Sequence, residues 1–314
     1  MPPVSAIRQP RGTAFALRDP LPWPEFAGLV REGESLGYRG VFLPEIAGRD
    51  AFAALTGLAG ETRELLLGTG IVPMTSRQTC LTAMGAATVA ERSGGRMILG
   101  LGTGAAGKGA LLILAGQLGE LRTLLGGPPG SDLSLALEAP VPIWISALGA
   151  RAVAMAGRLA DGVLLNWCSP ERVAEARAGV RRAAEEAGRD PDGVTIAVYI
   201  RACVGVDGEA AASSLKRAFG EYASYASYAR QFASMGLGSA AEDAAAAYLA
   251  GRPDEIPDDL VRRICLAGDP AQAAARLQAY RDAGADLPVV YPAALPQDPA
   301  GSLLATLRCL APRP

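Results

Sequence analysis

The residues best suited to chemistry in this sequence include a glycine-rich segment, GTGAAGKG, that begins at Gly102. Gly102, Gly104 and Gly107 satisfy the G-x-G-x-x-G spacing of dinucleotide sites, and Lys108 completes most of a phosphate-binding P-loop. However, Gly109 stands where a P-loop needs Ser or Thr to hold Mg²⁺. Four predicted strand–helix units also precede the segment, whereas both motifs usually open a fold. We therefore interpret it as a loop that closes a strand, with the two phosphate motifs as alternatives.

Acid–base chemistry is restricted by the complete absence of histidine. This excludes His-based triads, histidine general acids and almost all catalytic zinc sites. The carboxylate Glu45 directly follows a predicted strand, and it could act as a general acid if burial raises its pKa. The alternative is that Glu45 forms a salt bridge with Arg49 or Arg77. Glu45 is the only catalytic candidate that the sequence offers.

The overall composition favours a globular protein that acts on a small molecule. Half of the residues are apolar and the net charge is −2, so neither nucleic acid nor an anionic membrane is an expected partner. No apolar run reaches the roughly 18 residues of a membrane span, and the segment MPPVSAIRQPRG lacks the apolar core of a signal peptide. Five cysteines without a C-x-x-C motif predict core thiols, a cytoplasmic location and no metal site.

Short apolar runs alternate with long alanine- and arginine-rich segments along the whole chain. Eight strands separated by helices, without a break in composition, favour a single (β/α)8 TIM-barrel domain over residues 1–314. A doubly wound open sheet is the competing fold. The predicted strands are Thr13–Leu17, Gly40–Pro44, Leu65–Val72, Arg96–Leu101, Val141–Ser146, Gly162–Asn166, Val194–Val206 and Asp286–Tyr291. The predicted helices are Trp23–Leu36, Ala51–Thr62, Gln78–Arg92, Leu111–Leu125, Ala150–Leu159, Glu171–Ala187, much of Glu209–Leu249, Ala271–Ala283 and Ser302–Leu310.

A barrel places its active site at the C-terminal ends of its strands. In the third strand, Gly68 and Gly70 lie within LLLGTGIVP and indicate a bulge or the close approach of a ligand. Trp167, just past the sixth strand, either lines a ring pocket or packs as a partly buried residue. The YASYASYA run that starts at Tyr222 is either one helix face packed on the barrel or a polar-tipped wall over the site. The segments at this end are Glu45, Gly70–Pro73, Gly102–Gly104, Ala147–Arg151 and Asn166–Ser169.

Six segments, taken together, carry a family resemblance. They are SLGYRGVFLPE, GRDAF, LLLGTGIVP, ERSGGRMILGLGTG, VPIWISALGARAVAMAGRLADGVLLNWCSPE and GDPAQAAARLQAYRDAGAD. In their order and spacing they resemble the luciferase-like monooxygenase superfamily, and most of all its coenzyme F420 (deazaflavin) oxidoreductases, which include the methylene-tetrahydromethanopterin reductases. The resemblance implies a (β/α)8 barrel, a homodimer, and a deazaflavin or flavin ring bound at the C-terminal ends of the strands.

The resemblance also implies particular site residues. A bulge with a non-proline cis peptide at Gly70–Ile71 would lie behind the ring, and the cofactor phosphate would bind after the fifth strand. Free amides at a helix N-terminus together with Arg151 suit an anion there, although the same residues also suit a plain helix start. The implied cofactor-binding residues are Gly70, Ile71, Val72, Gly102, Thr103, Ala147, Leu148, Gly149, Ala150, Arg151 and Trp167.

Two features depart from the family pattern. Related sequences often read EHHG where this chain reads EIAG from Glu45, so the family histidine is replaced by an apolar residue. The excursion between Gly104 and Val141 is shortened, which leaves the site open or transfers the lid role to the helical insertion Glu209–Leu249. The expected function is hydride transfer between F420 and a small organic substrate, which needs no protein nucleophile. An FMN-dependent monooxygenase and a cofactor-binding homologue without turnover are the alternatives.

Overall fold

Parallel strands form a closed barrel in the computed structural model, which describes residues 12–18, 21–104, 107–126, 133–135 and 137–312. The strands are β1 (Ala14–Ala16), β2 (Gly40–Leu43), β3 (Leu66–Thr69), β4 (Val72–Pro73), β5 (Met97–Gly102), β6 (Ile143–Ser146), β7 (Gly162–Asn166), β8 (Thr195–Ala202) and β9 (Leu287–Pro292). The sheet order is β3-β2-β1-β9-β8-β7-β6-β5-β4, and β3 also pairs with β5. Because β3 and β4 together occupy one position, the ring has eight positions. The predicted (β/α)8 barrel is confirmed, and the open sheet is excluded.

Helices follow the strands around the barrel. They are α1 (Trp23–Ser35), α2 (Ala51–Glu61), α3 (Thr79–Ser93), α4 (Ala110–Leu125), α5 (Ala150–Leu159), α6 (Pro170–Glu186), α7 (Gly208–Ala223), α8 (Ala226–Ser234), α9 (Gly238–Leu249), α10 (Asp258–Arg262), α11 (Pro270–Asp282) and α12 (Pro299–Cys309). Their starts follow familiar capping chemistry, since Asp50, Ser169 and Asp207 accept backbone N–H groups of the first turns of α2, α6 and α7. Among the described residues, no helix combines the length and apolar character needed to cross a bilayer.

Aromatic side chains fill the barrel interior. Phe42 stacks on Trp144 with ring centroids 5.6 Å apart and meets the ring of Tyr199 at 6.2 Å. Glycines on the neighbouring strands make room for these rings, because a Cβ at Gly162 would lie 2.7 Å from the Trp144 indole and one at Gly68 would overlap the Phe42 ring. The interior is therefore a packed core in which large and small residues alternate. Any ligand must lie above this layer, at the mouth.

A separate hydrophobic core lies beneath helices α7, α8 and α9. Its centre is Trp167, which meets the rings of Phe219 at 5.8 Å and Phe232 at 6.3 Å, while the latter two are 4.8 Å apart. This core attaches the helical insertion, which follows β8, to the end of β7.

Two sequence interpretations need correction. The strand region Val194–Val206 is shorter than predicted, because β8 ends at Ala202 before Gly205 turns the chain with φ 78°. The YASYASYA run is not one helix face: α7 ends at Ala223 and α8 begins at Ala226, so the run spans a break between helices. Tyr222 and Tyr228 consequently face each other edge to face at 4.8 Å.

Candidate active site

The third strand is interrupted at Gly70–Ile71, and this peptide is cis. Both the bulge and the cis bond confirm the prediction. The interruption is held from β2, since the Gly70 N–H donates to the Leu43 carbonyl at 2.8 Å and the Glu45 N–H donates to the Ile71 carbonyl at 3.0 Å. A Cβ at Gly70 would overlap the hydroxyl oxygen of Tyr199, so only glycine fits at this place.

The floor of the mouth continues from the bulge onto β5. A Cβ at Gly102 would lie 2.6 Å from the Ser146 Oγ and 2.7 Å from the Ile71 side chain, so these two side chains pack directly on the Gly102 backbone. Thr103 is half-buried at its edge. Val72, in contrast, is fully buried in the core between strands and helices, so its side chain lies away from the mouth. Of the predicted residues in this region, Gly70, Ile71, Gly102 and Thr103 come together.

Tyr199 spans the barrel under this floor, and the sequence analysis did not name it. The residue is on β8, yet its hydroxyl reaches the Gly70 backbone on the other side of the ring of strands. Burial, together with the neighbouring Tyr291 hydroxyl, raises the pKa of Tyr199 well above its ordinary value, so the hydroxyl stays neutral. Among the described residues, no hydrogen-bond partner exists for this buried hydroxyl. It is a buried polar group packed against the backbone of the bulge from below.

A second set of polar groups surrounds Arg201, two residues further along β8. Its Nη1 donates to the Asn166 Oδ1 at 3.2 Å, and the Asn166 Nδ2 donates to the Tyr228 hydroxyl at 2.8 Å. The guanidinium carbon lies 3.8 Å from the ring centroid of Tyr291 and 5.1 Å from that of Tyr222. Asn166 thereby orients the guanidinium between aromatic rings. Tyr199 and Arg201 are two residues apart on one predicted strand, so their side chains share a face of it. This spacing is the sequence signal that could have identified both residues.

Trp167 lies in the packing layer rather than on the floor. It is 2% exposed, with φ of 52°, an uncommon backbone conformation for a residue with a bulky side chain. The Gln231 Nε2 donates to its carbonyl oxygen at 2.8 Å and to that of Asn166 at 2.6 Å, which holds the turn after β7. This location agrees with the packing interpretation of Trp167. Its indole N–H nevertheless has no acceptor among the described residues.

Glu45 forms a salt bridge, as one of the two interpretations proposed. Its Oε1 lies 2.9 Å from the Arg77 Nε and 3.2 Å from the Ser76 hydroxyl, which donates to it. Arg77 also contacts Asp50, the capping residue of α2, and covers the Phe52 ring at 5.1 Å. The ion pair fixes the carboxylate beside the bulge. Its role as a general acid stays a prediction.

The segment Ala147–Arg151 follows β6 and forms the start of α5. Ala147 is buried and the Leu148 carbonyl accepts from Arg172 at 3.2 Å, whereas Gly149, Ala150 and Arg151 are exposed. No side chain caps this helix. Exposed N–H groups at a helix N-terminus and a guanidinium one residue into the helix are an arrangement that suits a phosphate.

Comparisons with known proteins are consistent with this geometry. The family described as luciferase-like monooxygenase matches residues 7–108 and 119–287. A 5,10-methylenetetrahydromethanopterin reductase of Methanolobus tindarius is 31% identical over 64% of this chain, and the match covers 66% of that protein, slightly less than two thirds. A Mycobacterium tuberculosis protein named as a coenzyme F420-dependent oxidoreductase is 25% identical over 84% of this chain and 89% of its own length.

Solved structures support the fold independently. The F420-dependent tetrahydromethanopterin reductase of Methanopyrus kandleri superposes with a TM-score of 0.75 at 20% identity, covering 95% of this chain and 97% of the other. At this identity the similarity supports the barrel alone. The same barrel therefore presents the bulge, the glycine floor and the exposed start of α5 at one end.

Proposed function

Because the chain belongs to the luciferase-like monooxygenase family, we propose that it is an oxidoreductase that binds coenzyme F420 at the barrel mouth and acts on a small organic substrate. The observation that carries this proposal is the interruption of the third strand at Gly70–Ile71, where backbone hydrogen bonds to Leu43 and Glu45 hold a bulge at the barrel mouth. Relatives named for F420 favour this cofactor over FMN.

The residues of the mouth fit such a cofactor. The bulge at Gly70–Ile71 would hold one face of the ring. The amides of Gly149 and Ala150 with Arg151 would hold the phosphate. When bound, the deazaflavin supplies the hydride chemistry.

The chain's own contribution is positioning and exclusion of water. The bulge fixes the plane against which the ring lies, because two backbone hydrogen bonds from β2 hold it. The helical insertion, attached through Trp167, covers the β7–β8 side of the mouth and limits access of water. Glu45 is the carboxylate next to the bulge, and we propose that it takes part in proton transfer or in orienting a polar substrate group.

We further propose a homodimer. Leu81 and Met84 on α3 are about half exposed, and Leu112 and Ile113 at the start of the adjacent α4 are more than half exposed. Large apolar side chains gathered on two adjacent helices suit an interface between two copies of a chain.

Separate titrations of the purified protein with F420 and FMN test the proposed function. Saturable quenching of deazaflavin fluorescence, and hydride exchange between bound F420 and small alcohols or imines, would support it. Saturable binding of FMN without binding of F420 would instead identify a flavin enzyme on the same barrel. Tight F420 binding without turnover on any substrate of the panel would identify a cofactor-binding homologue.

A further inference from the structure

Arg201 is a buried cation without a counter-ion. The residue is 6% exposed, and among the described residues no carboxylate lies within ion-pairing distance of it. Burial opposes its charge, but the oxygens of Tyr222 and Tyr291 outweigh burial and raise the pKa of Arg201 above its ordinary value. As an arginine guanidinium is protonated throughout the ordinary pH range, the side chain carries a positive charge. A buried charge without a partner is unfavourable and calls for an explanation.

Arg96 is also buried, and it shows how a buried arginine with a structural role is bonded in this protein. Arg96 directs its guanidinium to backbone carbonyls of Ala59, Thr62, Leu65 and Ser93 at 2.7–3.1 Å, which occupies the donors of its fork. Arg201 instead hydrogen-bonds two side-chain oxygens, the Asn166 Oδ1 and the Tyr222 hydroxyl. These two oxygens are fewer acceptors than the five N–H donors of an arginine, and neither of them carries a negative charge.

The position of Arg201 favours a substrate over the cofactor as the missing partner. Around the barrel, β8 lies four strand positions from the bulge in either direction, so Arg201 is on the wall opposite Gly70–Ile71. If one face of the ring lies against the bulge, its other face is directed towards the β8 wall. A substrate between the ring and this wall would place its far end at the guanidinium.

We propose that Arg201 binds a carboxylate group of the substrate. Asn166 and Tyr228 orient the Arg201 guanidinium for this contact. This inference rests on the proposed function and names its substrate class, an organic acid. The Trp167 ring, whose centroid is 5.0 Å from the guanidinium carbon, adds a third aromatic ring beside the charge. Half-buried Asn166, Tyr222 and Tyr228 border the group.

Calorimetric titration with benzoate and with its neutral isostere benzamide tests the proposal without requiring turnover. Wild-type protein should bind benzoate more tightly than benzamide. Arg201→Gln should weaken benzoate binding by roughly 10- to 150-fold, the fold-change of a charge-assisted pair, and leave benzamide unchanged. Arg201→Lys keeps the charge but loses the planar fork, so its benzoate affinity should lie between those of wild type and Arg201→Gln. Tyr228→Phe should weaken benzoate binding by a smaller factor, because Asn166 loses its hydroxyl partner.

Parallel F420 titrations separate the possible anion sources. Under the proposal, F420 affinity in Arg201→Gln stays within about twofold of wild type, since phosphate and ring bind elsewhere. A loss of F420 affinity with unchanged benzoate binding would assign Arg201 to the cofactor and overturn the proposal. Equal wild-type affinity for benzoate and benzamide would also overturn it. Because benzoate is titrated without cofactor, failure of F420 binding would refute the proposed function alone. If Arg201→Gln does not fold, the Arg201→Lys series decides the outcome.

Discussion

Replacing Gly70 with alanine should damage the protein through one identifiable contact. The added Cβ would overlap the Tyr199 hydroxyl, lie 2.7 Å from its Cζ and 3.2 Å from the Phe42 Cβ. Overpacking of a core typically lowers the free energy of unfolding by about 1–3 kcal/mol, and an overlap with a rigid ring belongs at the upper end. We therefore expect Gly70→Ala to lose about 3 kcal/mol.

The Tyr199→Phe variant isolates the responsible contact. Removing a buried hydroxyl without a partner should leave the free energy of unfolding unchanged or raise it by up to about 1 kcal/mol. In the double variant the Cζ contact remains, but the overlap with oxygen is gone, so the Gly70→Ala loss should shrink to about 1–2 kcal/mol.

Urea unfolding of the four proteins measures this cycle. Gly60→Ala is the matched control, because a Cβ at this helical position meets nothing within 4 Å and should stabilise by about 0.5–1 kcal/mol. Equal losses from Gly70→Ala in the wild-type and Tyr199→Phe backgrounds would refute the reasoning.

Three further predictions follow from the mouth and the outer helices. Arg151→Ala should weaken F420 binding by roughly 10- to 150-fold in fluorescence titrations, whereas Arg158→Ala in the last turn of the same helix should not; equal effects would contradict a phosphate contact. Glu45→Gln should lower turnover while changing the free energy of unfolding by less than about 1 kcal/mol; full activity across the pH range would refute a role in proton transfer. Leu112→Asp should reduce the sedimentation mass to that of one chain, whereas Leu249→Asp, at another exposed apolar site, should not; a wild-type monomer would end the dimer proposal.

Much of the barrel was predictable because its elements are local patterns. The strand Gly162–Asn166 and the helix Ala150–Leu159 have the predicted bounds, since apolar runs and glycine or proline stops act over a few residues. Errors occurred where tertiary contacts ended an element. The YASYASYA run has helical spacing throughout, but packing of Trp167 against Phe219 and Phe232 folds it into two helices.

The sequence alone determined the fold class and the absence of histidine chemistry, and together with the family resemblance its glycines predicted the bulge at Gly70. Only the tertiary structure decided how the mouth is built. Tyr199 reaches Gly70 from a strand 129 positions later in the chain, and Arg201 lacks a counter-ion only because no carboxylate is folded near it. Such contacts depend on barrel closure, which brings distant strands face to face and leaves no trace in local spacing.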